Sequence, residues 1–134
     1  LYSYERLENL VGCQMRNADA ILPECQDLSV GDSIRLGPEG YPAFEVAAVV
    51  PGIALILRGD TPNPTGKPTT WIWIFYLAPI DGHTTRLLLR SRLDYESTPS
   101  NNISWRVFTD PIAFNMEREM LLGIKRRAEA SASA

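Results

Sequence analysis

The most informative segment of the chain is TTWIWIFYLAPIDGHTTRLLLRSRL, residues Thr69 to Leu93. A strand with one solvent-exposed face alternates apolar and polar side chains, but the first half of this segment is apolar on both faces. One face carries two tryptophans and a phenylalanine, and the other carries two isoleucines and a tyrosine: Trp71, Trp73, Phe75; Ile72, Ile74, Tyr76. The segment predicts a β-hairpin, and its register decides what covers each face.

Two registers are open for this hairpin. A three-residue loop, Ile80–Gly82 with its glycine left-handed, pairs Pro79 with His83 and Trp73 with Leu89. The arginines of the second strand then share a face with the isoleucines, and their aliphatic stems cover that face while the charged heads stay in water. These arginines are Arg86, Arg90 and Arg92. A two-residue loop would instead place the tryptophans beside the arginines.

Ala43–Val50 and Ile53–Arg58 predict another hairpin around a Pro-Gly turn. Pairing the last residue of the first strand with the first residue of the second puts Glu45 opposite Arg58, an opposite-charge pair. The same register gives one apolar face: Phe44, Val46, Ala48, Val50, Ile53, Leu55 and Leu57.

Helical and short elements flank the hairpins. Ser3–Val11 predicts a helix, and a turn at Val30–Asp32 leads into a short strand at Ser33–Leu36. Near the C-terminus, Asp110 predicts an N-cap followed by Pro111 in the first helical position. The preceding SWRVF predicts a further helical turn, and apolar residues then recur at helical spacing: Ala113, Met116, Met120 and Ile124.

This order of elements predicts an α+β fold, an antiparallel sheet with a helix on one face. The 134 residues, 45% of them hydrophobic, suit one domain over 1–134 with a loose tail at 130–134. The formal net charge of −3 argues against a duplex nucleic-acid partner. The longest apolar run, Val46–Leu57, is too short and broken to span a membrane.

Composition also limits the chemistry. Cys13 and Cys25 predict free thiols, and His83 is the single histidine, so the sequence predicts no metal site and no cofactor. Nothing in it indicates secretion, and a cytoplasmic location is the expectation. No catalytic constellation is visible: the catalytic residues are unknown, and whether the protein is an enzyme is open.

The succession of segments resembles the SRPBCC, or START-like, superfamily of helix-grip proteins, which includes polyketide cyclase/dehydrase-like members and uncharacterised branches. The resemblance is carried by DLSVGD (27–32), ALILR (54–58), WIFYLAP (73–79), TTRLLLRSR (84–92) and DPIAFNMEREMLLGIKRRAE (110–129). It implies a curved antiparallel sheet gripping a long C-terminal helix, with an apolar cavity between them. Members open with a strand and a helix that precede the part seen here. We therefore expect upstream residues that complete the sheet, or two copies that pair as a homodimer.

The candidate site is the aromatic face of the sheet together with the helix methionines: Phe44, Leu55, Trp71, Trp73, Phe75, Leu87, Met116 and Met120. Rigid rings and adaptable methionines suit a small apolar guest, and they suit an ordinary filled core equally. Three functions stay open. The first is binding of a small hydrophobic ligand. The second is a cyclase/dehydrase-like enzyme, which needs an acid or base in the cavity. The third is an oligomerisation domain with a packed core.

Overall fold

A computed structural model describes residues 27–35, 43–61 and 67–133. They fall into two compact units, one within Cys25–Glu96 and the other containing Ser97–Ala134. The first unit is an antiparallel sheet and the second is helical, so the α+β class is confirmed.

The predicted helix Ser3–Val11 and both cysteines, Cys13 and Cys25, lie outside the described residues. Within the described residues, no helix is long and apolar enough to cross a membrane.

The sheet has five strands, and each pairs with the next in sequence order. They are β1 Ser33–Arg35, β2 Ala43–Val50, β3 Ala54–Thr61, β4 Thr69–Pro79 and β5 Thr85–Asp94. β4 and β5 are the longest strands, and β4 is rich in the β-branched and aromatic residues that fit a pleated surface.

The β4–β5 hairpin has the predicted assignment of side chains to faces. Ile74 lies opposite Arg90 and Trp73 opposite Ser91, so the tryptophans and the arginines are on different faces. The predicted partners themselves are wrong, because the pairing is shifted by two residues and Pro79 faces Thr85. A shift of two leaves every side chain on its predicted face.

The hairpin loop explains the shift. The backbone N–H of Ile80 donates to the carbonyl of Thr84 at 2.9 Å, which leaves the three residues Asp81–His83 at the tip. The Asp81 carboxylate accepts the backbone N–H of His83 at 2.8 Å and closes this tip. Gly82 does not have a positive φ, and its predicted left-handed conformation is wrong.

The β2–β3 hairpin keeps the predicted charge pair of Glu45 opposite Arg58. At the turn end, however, Val50 pairs with Ala54, and the predicted partner Ile53 lies in the turn and is 50% exposed. The difference comes from an irregularity in β2 between Val46 and Ala48, where the register shifts by one residue.

This β-bulge changes which residues of β2 face the core. Val46 stays on the core face, but the next residue on that face is Val49, which packs against the core cluster. Ala48 and Val50 therefore lie on the other face, contrary to the prediction, because a one-residue insertion inverts the alternation beyond it.

The core of the sheet unit is formed by Phe44, Val46 and Leu57, which are 2%, 0% and 5% exposed. Partly buried apolar residues from all of the first four strands and the preceding segment surround it: Leu28, Ile34, Val49, Leu55, Trp71, Trp73 and Phe75. Gly59 lies against this core, since a Cβ built on it would be 3.2 Å from Phe44 Cε1. A larger residue at Gly59 would push against a ring that has little room to move.

The second unit is a continuous helical segment with a π-helical turn inside it. Helix α1 (Pro99–Ser104) passes into the π turn (Trp105–Thr109) and then into α2 (Asp110–Ala132). The predicted helical turn before Pro111 is therefore present.

The predicted N-cap at Asp110 is wrong. Its φ and ψ are −60° and −46°, and its N–H donates to the carbonyl of Trp105, so it continues the helix. Pro111 has no N–H to offer, and its ring would crowd the carbonyl four residues back. A π turn at this point accommodates the proline without ending the helix.

Candidate apolar binding face

The aromatic face of the sheet is built by strand register. Leu57 lies opposite Trp73 and Leu55 opposite Phe75 across β3 and β4, and Phe75 lies opposite Leu89 across β4 and β5. Alternation then gives the membership of this face on β2 to β5, which we call the aromatic face: Phe44, Val46, Val49, Leu55, Leu57, Trp71, Trp73, Phe75, Leu77, Leu87, Leu89, Ser91 and Leu93.

Trp73 is at the centre of the ring contacts on this face. It stacks on Phe44, with 4.7 Å between ring centroids and 16° between ring planes. It meets Trp71 and Phe75 edge to face, each at 6.1 Å, with interplanar angles of 76° and 90°. Both geometries are favourable for aromatic pairs, and they hold the four rings in a defined arrangement.

The two indole N–H groups differ in their partners. Trp71 Nε1 donates to Ser91 Oγ at 2.8 Å. Ser91 faces Trp73 in the register, so the Trp71 side chain reaches diagonally to it. Trp73 Nε1 is buried and has no hydrogen-bond partner among the described residues. A buried N–H without a partner is costly, so the position is held by the packing of the ring.

Burial changes across the aromatic face. Phe44 and Leu57 on β2 and β3 are buried, whereas Trp73 and Phe75 on β4 are half-buried. Leu77, near the hairpin loop, is 36% exposed. The β2–β3 side is therefore a filled core, and the β4–β5 side offers apolar surface.

Most of the predicted site residues come together on the sheet. Five belong to the core cluster or pack against it: Phe44, Leu55, Trp71, Trp73 and Phe75. Leu87 lies on the same face, opposite Leu77. Met116 and Met120 belong to the helical unit, where Met120 is buried and Met116 half-buried.

Sequence reasoning missed the contact of Trp71 with Ser91. One signal could have found it: Ser91 interrupts the leucines at alternate positions of β5, Leu87, Leu89 and Leu93. A hydroxyl at such a position is placed to accept a hydrogen bond from an indole.

The two carboxylates with a lowered pKa, those of Asp60 and Asp81, lie away from the aromatic face. The Thr70 hydroxyl donates to Asp60 Oδ1 at 2.6 Å, and this bond, with the nearby Arg58, holds the Asp60 pKa below its usual value. The pair of Asp60 and Thr70 lies on the opposite face of the sheet. In the hairpin loop, the backbone N–H of His83 lowers the pKa of Asp81. Neither group is placed to act on a molecule bound at the aromatic face.

No set of three or more His, Cys, Asp or Glu side chains that could hold a metal ion occurs in the described part of the chain. His83 lies exposed at the hairpin tip. The described side chains of the aromatic face are apolar except for Ser91, whose hydroxyl accepts the hydrogen bond from Trp71.

Comparisons of the chain with models of protein families, with curated proteins and with solved structures found no match. The resemblance to the helix-grip superfamily stays a prediction.

Proposed function

We propose that this protein binds a small apolar molecule on the β4–β5 side of its aromatic face. The observation that carries the proposal is the burial gradient. Trp71, Trp73 and Phe75 are half-buried and held side by side, while Phe44, which stacks on Trp73, is buried. Rings that are held by their neighbours and keep part of their surface exposed form a platform for another apolar surface.

The expected driving force is burial of apolar area. A guest that covers about 200 Å² of this face would gain roughly 5 kcal/mol before the costs of association, at about 25 cal/mol per Å². The ring contacts hold Trp73 and its neighbours in position, so little ordering is needed on binding. Such a balance suits a carrier or sensor of a small hydrophobic ligand.

Three finer expectations belong to the same proposal. The C-terminal helix, with Met116 and Met120, would close the site as in a helix-grip protein. Two copies of the chain would pair if no upstream residues complete the sheet. The location would be cytoplasmic. These rest on the sequence.

A packed-core oligomerisation domain is the second candidate function. It is favoured by the near-complete burial of Phe44 and Val46, which shows that part of this face is filled. The two candidates differ at the β4–β5 side, where the first predicts a ligand and the second predicts none.

Two adjacent leucines of β5 give a matched test. Leu89 is half-buried on the aromatic face, and Leu88 is 46% exposed on the opposite one. Leu89→Ser should weaken binding of the fluorescent probe 1-anilinonaphthalene-8-sulfonate about fivefold, or about 1 kcal/mol, through lost apolar contact. Leu88→Ser should leave it unchanged.

The titration should be saturable at one probe per chain in a sample that melts cooperatively. Native mass spectrometry of the protein as purified should show a bound small molecule. Equal effects of the two serine variants, or no saturable binding, would refute the proposed function and favour the packed core.

A further inference from the structure

The second surface of interest is the face of β5 opposite the aromatic one. Arg86, Arg90 and Arg92 project there and are exposed. Together with their apolar neighbours they form what we call the arginine face: Ile72, Ile74, Tyr76, Arg86, Leu88, Arg90 and Arg92. Tyr76 and Leu88, which pair across the strands, are 43% and 46% exposed.

The charges of these arginines are not compensated locally. Among the described residues, no ion pair involves any of the three. The acidic residues on this side of the sheet lie beside other cations, and Glu45 on β2 lies opposite Arg58. Asp94 is bound to Lys67 at 2.7 Å, and Asp60 to Arg58 at 3.0 Å. The arginine face therefore carries a concentrated positive charge beside exposed apolar surface.

β5 is also an edge strand of the described sheet. The N–H of Ile80 donates to the carbonyl of Thr84, so the even-numbered residues that follow direct their backbone groups toward β4. The N–H and carbonyl groups of the odd-numbered residues point away from the sheet: Leu87, Leu89, Ser91 and Leu93. The edge thus offers backbone donors and acceptors to another strand.

A second copy of β5 fits this edge poorly. In most registers, antiparallel pairing that keeps the two faces aligned sets two arginines against each other: Arg86 against Arg90 or Arg92, Arg90 against itself, or Arg90 against Arg92. Like charges directly opposite each other are destabilising. The arginines therefore disfavour pairing between two β5 edges, and the same charges would select a partner strand of opposite sign.

We propose that the β5 edge binds an acidic extended segment of another protein, which adds to the sheet as a sixth antiparallel strand. Carboxylates of this segment would lie opposite the arginines, and its backbone would pair with the open groups of β5. Along a strand, Arg90 and Arg92 are about 7 Å apart and Arg86 and Arg90 about 14 Å apart, so acidic residues at positions i, i+2 and i+6 of the segment would match. An ordered row of backbone groups between the arginines favours a strand over a nucleic acid or a lipid surface.

A labelled ten-residue peptide of valine and threonine tests the idea. Glutamates at its third, fifth and ninth positions fall opposite Arg92, Arg90 and Arg86 in antiparallel pairing. A peptide of the same composition with three consecutive glutamates is the control for net charge. We expect the matched peptide to bind at least about tenfold more tightly, as three cross-strand pairs allow. It should also slow amide exchange at Leu87 and Ser91.

Charge reversal then identifies the contact. Arg90→Glu should lower the affinity for the matched peptide about threefold to tenfold, because one cross-strand attraction becomes a repulsion. A lysine at the fifth position of the peptide should restore its binding to this variant. Arg126→Glu, exposed on α2, is the control and should change nothing. Equal affinity for the two peptides, unchanged amide exchange, or no rescue would overturn the proposal. Binding of phosphatidylserine vesicles or duplex DNA that Arg90→Glu abolishes, without peptide binding, would overturn it also.

Discussion

Replacing Trp73 by alanine removes the ring around which the aromatic face is organised. The ring is half-buried, stacks on Phe44, and has edge contacts with Trp71 and Phe75. It buries about 150 Å² of apolar surface, which corresponds to nearly 4 kcal/mol at about 25 cal/mol per Å². The aromatic contacts add about 1 kcal/mol beyond that area.

One contribution of Trp73 to the free energy of unfolding is destabilising. Its Nε1–H is buried without a partner among the described residues, and removing such a group returns about 1–2 kcal/mol. The net loss for Trp73→Ala is therefore expected near 3–4 kcal/mol. Trp73→Phe keeps a ring on Phe44 and removes the unpaired N–H, so we expect a change within about 1 kcal/mol of zero.

Trp71→Phe is the matched comparison, because the Trp71 N–H is bonded to Ser91 at 2.8 Å. This variant loses a hydrogen bond as well as ring area, and it should cost about 1 kcal/mol more than Trp73→Phe. Urea denaturation followed by circular dichroism gives the three free energies of unfolding. A loss below about 1 kcal/mol for Trp73→Ala would show that the ring does not organise this face, and a larger loss for Trp73→Phe than for Trp71→Phe would show that the Trp73 N–H is not an unpaired group.

Three further predictions concern other parts of the molecule. Gly59→Ala should cost about 1–2 kcal/mol, because the new methyl group meets the buried Phe44 ring, whereas Gly82→Ala has open space and should be near neutral in the same denaturation assay. Thr70→Val should raise the pKa of Asp60 toward its usual value. Because the Asp60 pKa is lowered, the bond from Thr70 stabilises the fold at neutral pH, and this stabilisation is lost as the pH falls through the folded pKa. An NMR titration of the carboxyl groups that shows no rise of the Asp60 pKa in Thr70→Val would contradict the assignment. Duplex DNA should not bind tightly at physiological salt, and a salt-sensitive submicromolar complex in a titration would contradict this.

The faces of the β4–β5 hairpin could be predicted from the sequence, but its register could not. Apolar and charged side chains alternate with period two, and a shift of two residues preserves that alternation. The pattern therefore separates Trp73 from Arg90 without choosing between partners that differ by two. The hydrogen bond from the His83 backbone N–H to Asp81 places the loop tip at Asp81–His83, and the hydrophobic pattern cannot predict such a bond.

The β-bulge in β2 could not be predicted from the sequence for a related reason. Residues 46–50 are all apolar, so an inserted residue changes no polar position and the pattern cannot reveal it. At the helix, Asp110 and Pro111 form a typical start signal. The π turn overrides it because one extra residue per turn relieves the constraint that proline imposes.

The candidate site was predictable where it depends on one strand and its neighbours. Trp71, Trp73 and Phe75 share a face by alternation alone, and Phe44 joins them because the Glu45–Arg58 pairing was correct. Site residues whose role depends on how separate elements pack cannot be predicted from hydrophobic periodicity or secondary-structure propensity. The proposed contribution of Met116 is of this kind.

The central claim is that an apolar molecule lies on the aromatic face. Intermolecular NOEs between the protein and bound 1-anilinonaphthalene-8-sulfonate test it most directly, because side chains of adjacent β4 and β5 residues report on opposite faces. We expect NOEs from the probe to the rings of Trp73 and Phe75 and to the methyl groups of Leu89. NOEs confined to Ile74 and Leu88, or none at all under saturating probe, would contradict it.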